Sequence, residues 1–283
     1  MVTTPPAVHG LPAPGRTLVM GVVNVTPDSF SDGGEWLDPD DAIAHGLQLL
    51  AEGADVVDVG GESTRPGAVR PTQEVELARV IPVIRTLSAA GGLVSVDTMR
   101  PAVAERAVHA GARMINDVSG GRAEPEMLPV VARLGVPYVC MHWRGHATDM
   151  QSRASYVDLA AEIVSELSEQ VEAALAAGIR RDRLALDPGF GFAKTGEHNW
   201  ELLNRLDELD ALGFPILYGL SRKAFLGSLL AAPDGTPRPA RQRDDASLAL
   251  TTLLAWRRVW AVRVHRVRST VDAVAVVERL RRG

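Results

Sequence analysis

Eight short apolar runs punctuate the 283-residue chain, and every one of them stops at polar residues. Residues 17–23 (TLVMGVV) end at Asn24, DVVDV runs into Gly60-Gly-Glu-Ser-Thr64-Arg65-Pro66, LVSV ends at Asp97 and RMI at Asn116-Asp117. PYVCM then ends at His142, RLAL at Asp187-Pro-Gly-Phe-Gly-Phe192, PILYGL at Ser221-Arg-Lys223 and VWAV at Arg263-Val-His265. Between these runs, apolar positions recur three or four apart, as over 42–51, 75–87, 103–110 and 156–177. Such spacing predicts amphipathic helices, whereas the short continuous runs suit strands buried on both faces. The predicted order is strand then helix, eight times over.

Right-handed crossovers close such a series into an α/β fold, a single (β/α)8 TIM barrel of ~250 residues with its active site at the C-terminal mouth of the strands. A doubly wound open sheet also alternates strand and helix, but it gathers its functional loops at one switch point. Polar sets after all eight runs favour the barrel. Residues 1–15 read as a flexible N-terminal tail and 16–283 as the barrel domain. The Pro-rich stretch 231–245 (AAPDGTPRPARQRDD) is followed by too few residues for a second domain, so it reads as a surface excursion within the seventh helical unit.

A hydrophobic fraction of 46% with 23% charged residues fits a soluble globular protein, and a net charge of −5 argues against nucleic acid as the main partner. The single cysteine, Cys140, excludes an internal disulfide and falls inside a predicted strand, as a small core residue would. The opening lacks a basic start and an apolar signal core, and no run approaches ~18 apolar residues. The expectation is a cytoplasmic protein without membrane spans.

Gathered at a barrel mouth, Asp97, Asn116 and Asp187 would place two carboxylates and an amide around one cavity. Carboxylates accept from N–H groups and an amide both donates and accepts, so the set suits a flat, nitrogen-rich heterocycle such as a pterin or purine. The plainer reading, that Asp97 and Asp187 cap the helices after them, suits either alone better than three such residues at equivalent strand ends. Arg263 and His265 share a face at period two. With Lys223 and Asn24 they would form a pocket for phosphate or pyrophosphate, the Asn24 oxygen being suited to a hard cation. The loops 26–34 and 60–70 combine glycines with polar side chains, as water-excluding lids do, although long connections with turn residues read similarly.

NVTPDSFSDGG, GGESTRPGA, VSVDT, INDVSGG, MHWRG, LDPGFGFAK, GLSRKAFLG and RVH, in this order, resemble the dihydropteroate synthase family of folate biosynthesis. The resemblance covers nearly the whole chain. It implies a transferase that joins 6-hydroxymethyl-7,8-dihydropterin pyrophosphate to p-aminobenzoate, releasing pyrophosphate. It further implies that Asp97, Asn116, Asp187 and Lys223 hold the pterin, with Met141 and Gly219 beside it. Asn24, Arg263 and His265 would bind the pyrophosphate, Asn24 with Mg2+ as the cofactor. Phe30, Thr64, Pro66 and Phe192 would flank p-aminobenzoate, and Asp32 and Arg65 would join them when the first two loops close. Members of the family are commonly homodimers, and the last helix, over 271–280, offers a surface for pairing or for packing on the barrel.

Two positions depart from the family pattern. Ala224 stands where many members have serine, and Arg266 follows His265 where the family has aspartate. Period two turns Arg266 away from His265; the expectation is an enzyme that works at reduced rate. Two alternatives stay open: a methyltetrahydrofolate-dependent methyltransferase of the same barrel superfamily, which would need neither SRK nor RVH, and a silent pterin-binding paralogue.

Overall fold

A computed structural model describes residues 6–26, 39–65 and 67–282. The strands are β1 (Leu18–Asn24), β2 (Val56–Gly60), β3 (Val94–Asp97), β4 (Met114–Asp117), β5 (Tyr138–Met141), β6 (Leu184–Asp187), β7 (Leu217–Tyr218) and β8 (Ala261–Val264). Helices follow each: α1 (Pro39–Ala51), α2 (Gln73–Ala89), α3 (Pro101–His109), α4 (Met127–Leu134) and α5 (Leu159–Ala176). α6 (Gly196–Asn204) and α7 (Leu206–Asp210) follow β6, α8 (Ala224–Leu229) and α9 (Asp244–Trp256) follow β7, and α10 (Val267–Arg281) ends the chain.

The sheet runs β6-β5-β4-β3-β2-β1-β8-β7, with every pairing parallel. A parallel bridge between Leu186 and Ile216, backed by the Leu186 N–H donating to the Pro215 carbonyl at 2.9 Å, closes it into the expected (β/α)8 barrel. The loops start their helices with local chemistry. Thr72 and Asp158 accept N–H groups in the first turns of α2 and α5, and Thr195 and His198 form a reciprocal cap on α6.

Strand alternation sorts the core into two parts. Val19, Val23, Val57, Val59, Val94, Val96, Ile115, Tyr138, Cys140, Leu184, Leu186, Tyr218, Val262 and Val264 pack outward against the helices. The inward positions Leu18, Met20, Val56, Met114, Val139, Ala185, Leu217 and Ala261 form a separate apolar cluster that fills the N-terminal end. Val8 joins this plug at 2% exposure, Leu11 packs against it, and the His9 N–H donates to the Asp182 carbonyl. Part of the stretch read as a loose tail is therefore held under the barrel, because an open end of stacked apolar side chains needs a cover. Residues 231–239 form the expected exposed excursion between α8 and α9, pinned by Arg238 N–H to the Gly227 carbonyl. Cys140 is fully buried, and burial raises its thiol far above the ordinary range, as a core residue requires. No described helix is long and apolar enough to cross a membrane.

Candidate active site

At the C-terminal ends of the strands, the same inward positions turn from apolar to polar. A cavity of about 670 Å³ opens there, and Asn24, Thr64, Arg65, Asp97, Asn116, Met141, Asp187, Phe192, Gly219, Lys223, Arg263 and His265 all line it. Every candidate among the described residues thus meets in one place, while Phe30, Asp32 and Pro66 lie outside the described residues. Neither aspartate caps a helix: Arg100 stands before α3 and Thr195 caps α6. Asp187 Oδ1 instead accepts the Gly189 N–H at 2.7 Å, which holds the glycine-rich loop down against its own strand.

Arg263 is gripped from two sides, donating from Nε to Asp58 at 2.7 Å and from Nη2 to Asp97 at 2.9 Å. Burial pushes the Asp97 carboxyl up to about 8, while the Arg263 guanidinium opposes that shift. Burial likewise raises Asp187, against the Gly189 hydrogen bond and the Lys223 charge. Lys223 is drawn down to about 8 by burial, with Asp187 opposing, and its Nζ lies 4.1 Å from the Phe192 ring centroid. Lys223 and Phe192 therefore form one wall, a cation laid on an aromatic face.

The chain delivers Lys223 through a strained residue. Arg222 sits at φ +61°, a conformation L side chains rarely adopt. Ser247 Oγ accepts its N–H, Asp244 takes its guanidinium through both oxygens, and Arg243 donates to its carbonyl. His265 is neutral: burial and then the charges of Arg222, Arg263 and Lys223 hold it well below the ordinary histidine range. Ser221 Oγ accepts the His265 backbone N–H and lies 2.9 Å from Nδ1. The hydroxyl keeps one proton and a second lone pair, so it can meet Nδ1 in either tautomer; donating to Nδ1 it leaves Nε2–H as a donor. A neutral donor beside fixed cations is suited to an anion.

A model of the family described as pterin binding enzyme matches residues 20–265. The dihydropteroate synthase of Mycobacterium leprae is 55% identical over 92% of each chain. The chain belongs to the dihydropteroate synthase family. A Yersinia pestis dihydropteroate synthase solved with a sulfonamide drug superposes with a TM-score of 0.90 at 41% identity, covering 98% of this chain and 99% of that one. A Xanthomonas albilineans dihydropteroate synthase in complex with 7,8-dihydropteroate gives 0.81 at 45% identity over 94% of both. Fold, family and the assignment as a transferase thus agree with the motifs.

Against that family pattern, Arg266 points out of the cavity. Its side chain is 64% exposed and reaches Asp244 at 3.6 Å, sharing that carboxylate with Arg222. Ala224 is the first residue of α8 and still lines the cavity.

Several functional-site residues carried no role in the sequence reading. Asp58 was visible only as a lone acid inside DVVDV, at a strand position that alternates with apolar neighbours. Glu62 lines the cavity and holds Arg70, which also reaches Glu124; Arg100 pairs with the fully buried Glu76, to which Thr98 also donates. This set braces the 61–71 loop against β3. Lys194 is buried and donates to the carbonyls of Gly189 and Phe192 and to His142 Nδ1, whose other nitrogen meets Glu166. His142 is thus a strut, not part of the mouth. Gly189 itself, at φ +69°, has His142's carbonyl 2.7 Å from where a Cβ would sit, so no other residue fits there.

Proposed function

We propose that this chain condenses 6-hydroxymethyl-7,8-dihydropterin pyrophosphate with p-aminobenzoate to give 7,8-dihydropteroate and pyrophosphate. The observation that carries this reading is the meeting, in one cavity, of Asp97, Asn116 and Asp187 with Lys223, Arg263 and His265. The first three match the hydrogen-bonding edges of a pterin. Arg263 and the Nε2–H of His265 lie on the side suited to the departing pyrophosphate, and stabilising its growing charge is how the site lowers the barrier.

The methylene C–O bond breaks with its electron pair leaving on pyrophosphate, the aromatic amine forms the new C–N bond, and the amine proton is lost to solvent or pyrophosphate. The neutral amine needs positioning and a dry site more than a strong base. Thr64, Arg65 and Phe192 are the p-aminobenzoate contacts of this reading, with Phe30, Asp32 and Pro66 as further contacts by resemblance, while Lys223, laid on the Phe192 ring, stays with the pterin. A sulfonamide is expected to compete for that place.

The residues present fit Mg2+. Mg2+ keeps waters and binds chiefly through substrate phosphates, with one or two protein oxygens. Asn24 supplies one amide oxygen at the lip, and among the described residues no three His, Cys, Asp or Glu side chains cluster as a metal cage. When bound, the ion would neutralise charge on the leaving pyrophosphate. Cytoplasmic location and a homodimer belong to the same proposal; Leu253 and Trp256 on α9 with Val276 and Leu280 on α10 leave apolar surface exposed for pairing.

The test is pyrophosphate release by purified protein given the pterin pyrophosphate, Mg2+ and p-aminobenzoate. Release that depends on p-aminobenzoate and is lost in Asp97→Ala is expected. Tight pterin binding without release would instead support the silent paralogue.

A further inference from the structure

Asp58 stands under the cavity without lining it. It projects from the middle of β2, one layer below Asp97: in the register of β2 with β3, Asp58 is opposite Ser95 and Gly60 is opposite Asp97. Its side chain is completely buried. One oxygen, Oδ2, accepts from Asn116 Nδ2 at 2.9 Å and from Arg263 Nε at 2.7 Å, whereas Oδ1 has no partner among the described residues. Burying a carboxylate with one oxygen unpaired is costly, so packing alone does not explain an acid here. An asparagine would fill the same space.

The chemistry of an ionised carboxylate does explain it. Paired with the Arg263 guanidinium, Asp58 is acceptor-only. Asn116 can therefore approach it only through an N–H of its NH2 group, which fixes the orientation of the amide and leaves its carbonyl, with the second N–H beside it, for the cavity. The same oxygen holds Arg263 by Nε while Asp97 holds Nη2, which fixes the plane of the guanidinium.

We propose that Asp58 is a positioning residue that fixes the orientation of the Asn116 amide in the heterocycle site: by taking one N–H of Asn116 it stops the amide from turning over, and by the same atom it couples the heterocycle side of the cavity to Arg263 on the anion side. This rests on Asn116 being a pterin contact. The Asn116 carbonyl then faces a ring N–H, and a ring turned so that a bare nitrogen or a carbonyl met that oxygen would set lone pair against lone pair.

An exchange of the two groups tests it. Asp58→Asn removes the acceptor-only partner, so the Asn116 amide is free to turn over. The KM for the pterin pyrophosphate is expected to rise about tenfold while that for p-aminobenzoate changes less than about twofold. Asn116→Asp sets two carboxylates against each other and is expected to weaken pterin binding more. The double exchange Asp58→Asn with Asn116→Asp restores one donor–acceptor pair in reverse and keeps an acceptor facing the cavity, with Arg263 still held by Asp97. It is expected to bind the pterin pyrophosphate better than either single variant, by titration calorimetry. A purely structural role would move both KM values together and would give no such rescue.

Asp58→Asn with an unchanged pterin KM, or a double exchange that folds and binds no better than the worse single, would overturn the proposal. So would a double exchange that fails to fold, since the inversion is required to be tolerated. Asn116→Ala separates the levels: if it leaves pterin binding intact, the reading of the site is wrong; if it abolishes binding while Asp58→Asn has no effect, only the role of Asp58 is wrong.

Discussion

The two ends of the barrel are built from the same strands and the same alternation, yet they are held by opposite physics. At the N-terminal end, the inward side chains of Met114, Val139, Leu217 and their neighbours make a dry plug. Two residues further along the chain, the inward positions become Asn116, Met141 and Gly219, within a mouth of carboxylates, ammonium and guanidinium. The plug gains free energy from every buried apolar group. The mouth forgoes it: Asp97 and Asp187 are held buried with raised pKa values and Lys223 with a lowered one, a cost tolerated only where ligand chemistry needs it. Stability and function are thus separated along a few ångströms of each strand.

The sharpest way to break this division lies on β4, where Met114 and Asn116 face the same way two residues apart. Asn116→Ala is expected to lower kcat/KM on the order of 10²-fold and to leave the urea midpoint nearly unchanged. Met114→Ala is expected to do the reverse, costing about 2–5 kcal/mol of stability through the cavity it leaves with little change in kcat/KM at 25 °C. If Met114→Ala damages turnover as much as Asn116→Ala does, the plug and the mouth are not separable.

A second way uses pH. Lys223 is charged below about 8 and neutral above it, so kcat/KM for the pterin pyrophosphate should fall about tenfold per pH unit beyond that point. Asp97 titrates in the same range with the opposite sign, gaining charge toward Arg263 as pH rises. Lys223→Arg separates them, because a guanidinium keeps its charge throughout. In that variant the alkaline limb should move above about pH 9; a limb that stays near 8 would transfer the effect to Asp97.

The strands, their order and the barrel were legible because each apolar run is bounded by turn and polar residues and each intervening helix keeps its period. The mouth was legible wherever a polar residue ended a strand, as with Asp97, Asn116, Asp187 and Arg263. What escaped lies one step deeper. Asp58 sits inside an apolar run, and only the partners brought to it by β4 and β8 give it meaning. Lys194 and His142 come from different loops, and their mutual contact depends on how the 187–195 turn folds back. Val8 could not be read as covered because the gap it fills is made by seven separate strands. Sequence spacing reports which residues share a face; it does not report which buried charges find each other across the barrel.

Arg266 gives the smallest effect and the finest test of the boundary between mouth and surface. The sequence pattern left two readings of an arginine after RVH: turned by period two toward the helical layer, or standing where a carboxylate that orients His265 or Arg263 is missing. In the structure the side chain leaves the barrel, is 64% exposed, and lies 3.6 Å from Asp244, the carboxylate that holds the strained Arg222. An exposed pair at that distance is worth little. Arg266→Asp would not place a carboxylate on His265, whose Nδ1 is already met by Ser221; it would set a second negative charge near Asp244 and draw slightly on Arg222. Turnover is therefore expected to change by less than about threefold. A gain in kcat of tenfold or more on Arg266→Asp, on the order of 1.4 kcal/mol in the barrier, would show that the helical layer beyond β8 reaches the anion pocket after all and that the mouth extends past the residues facing it.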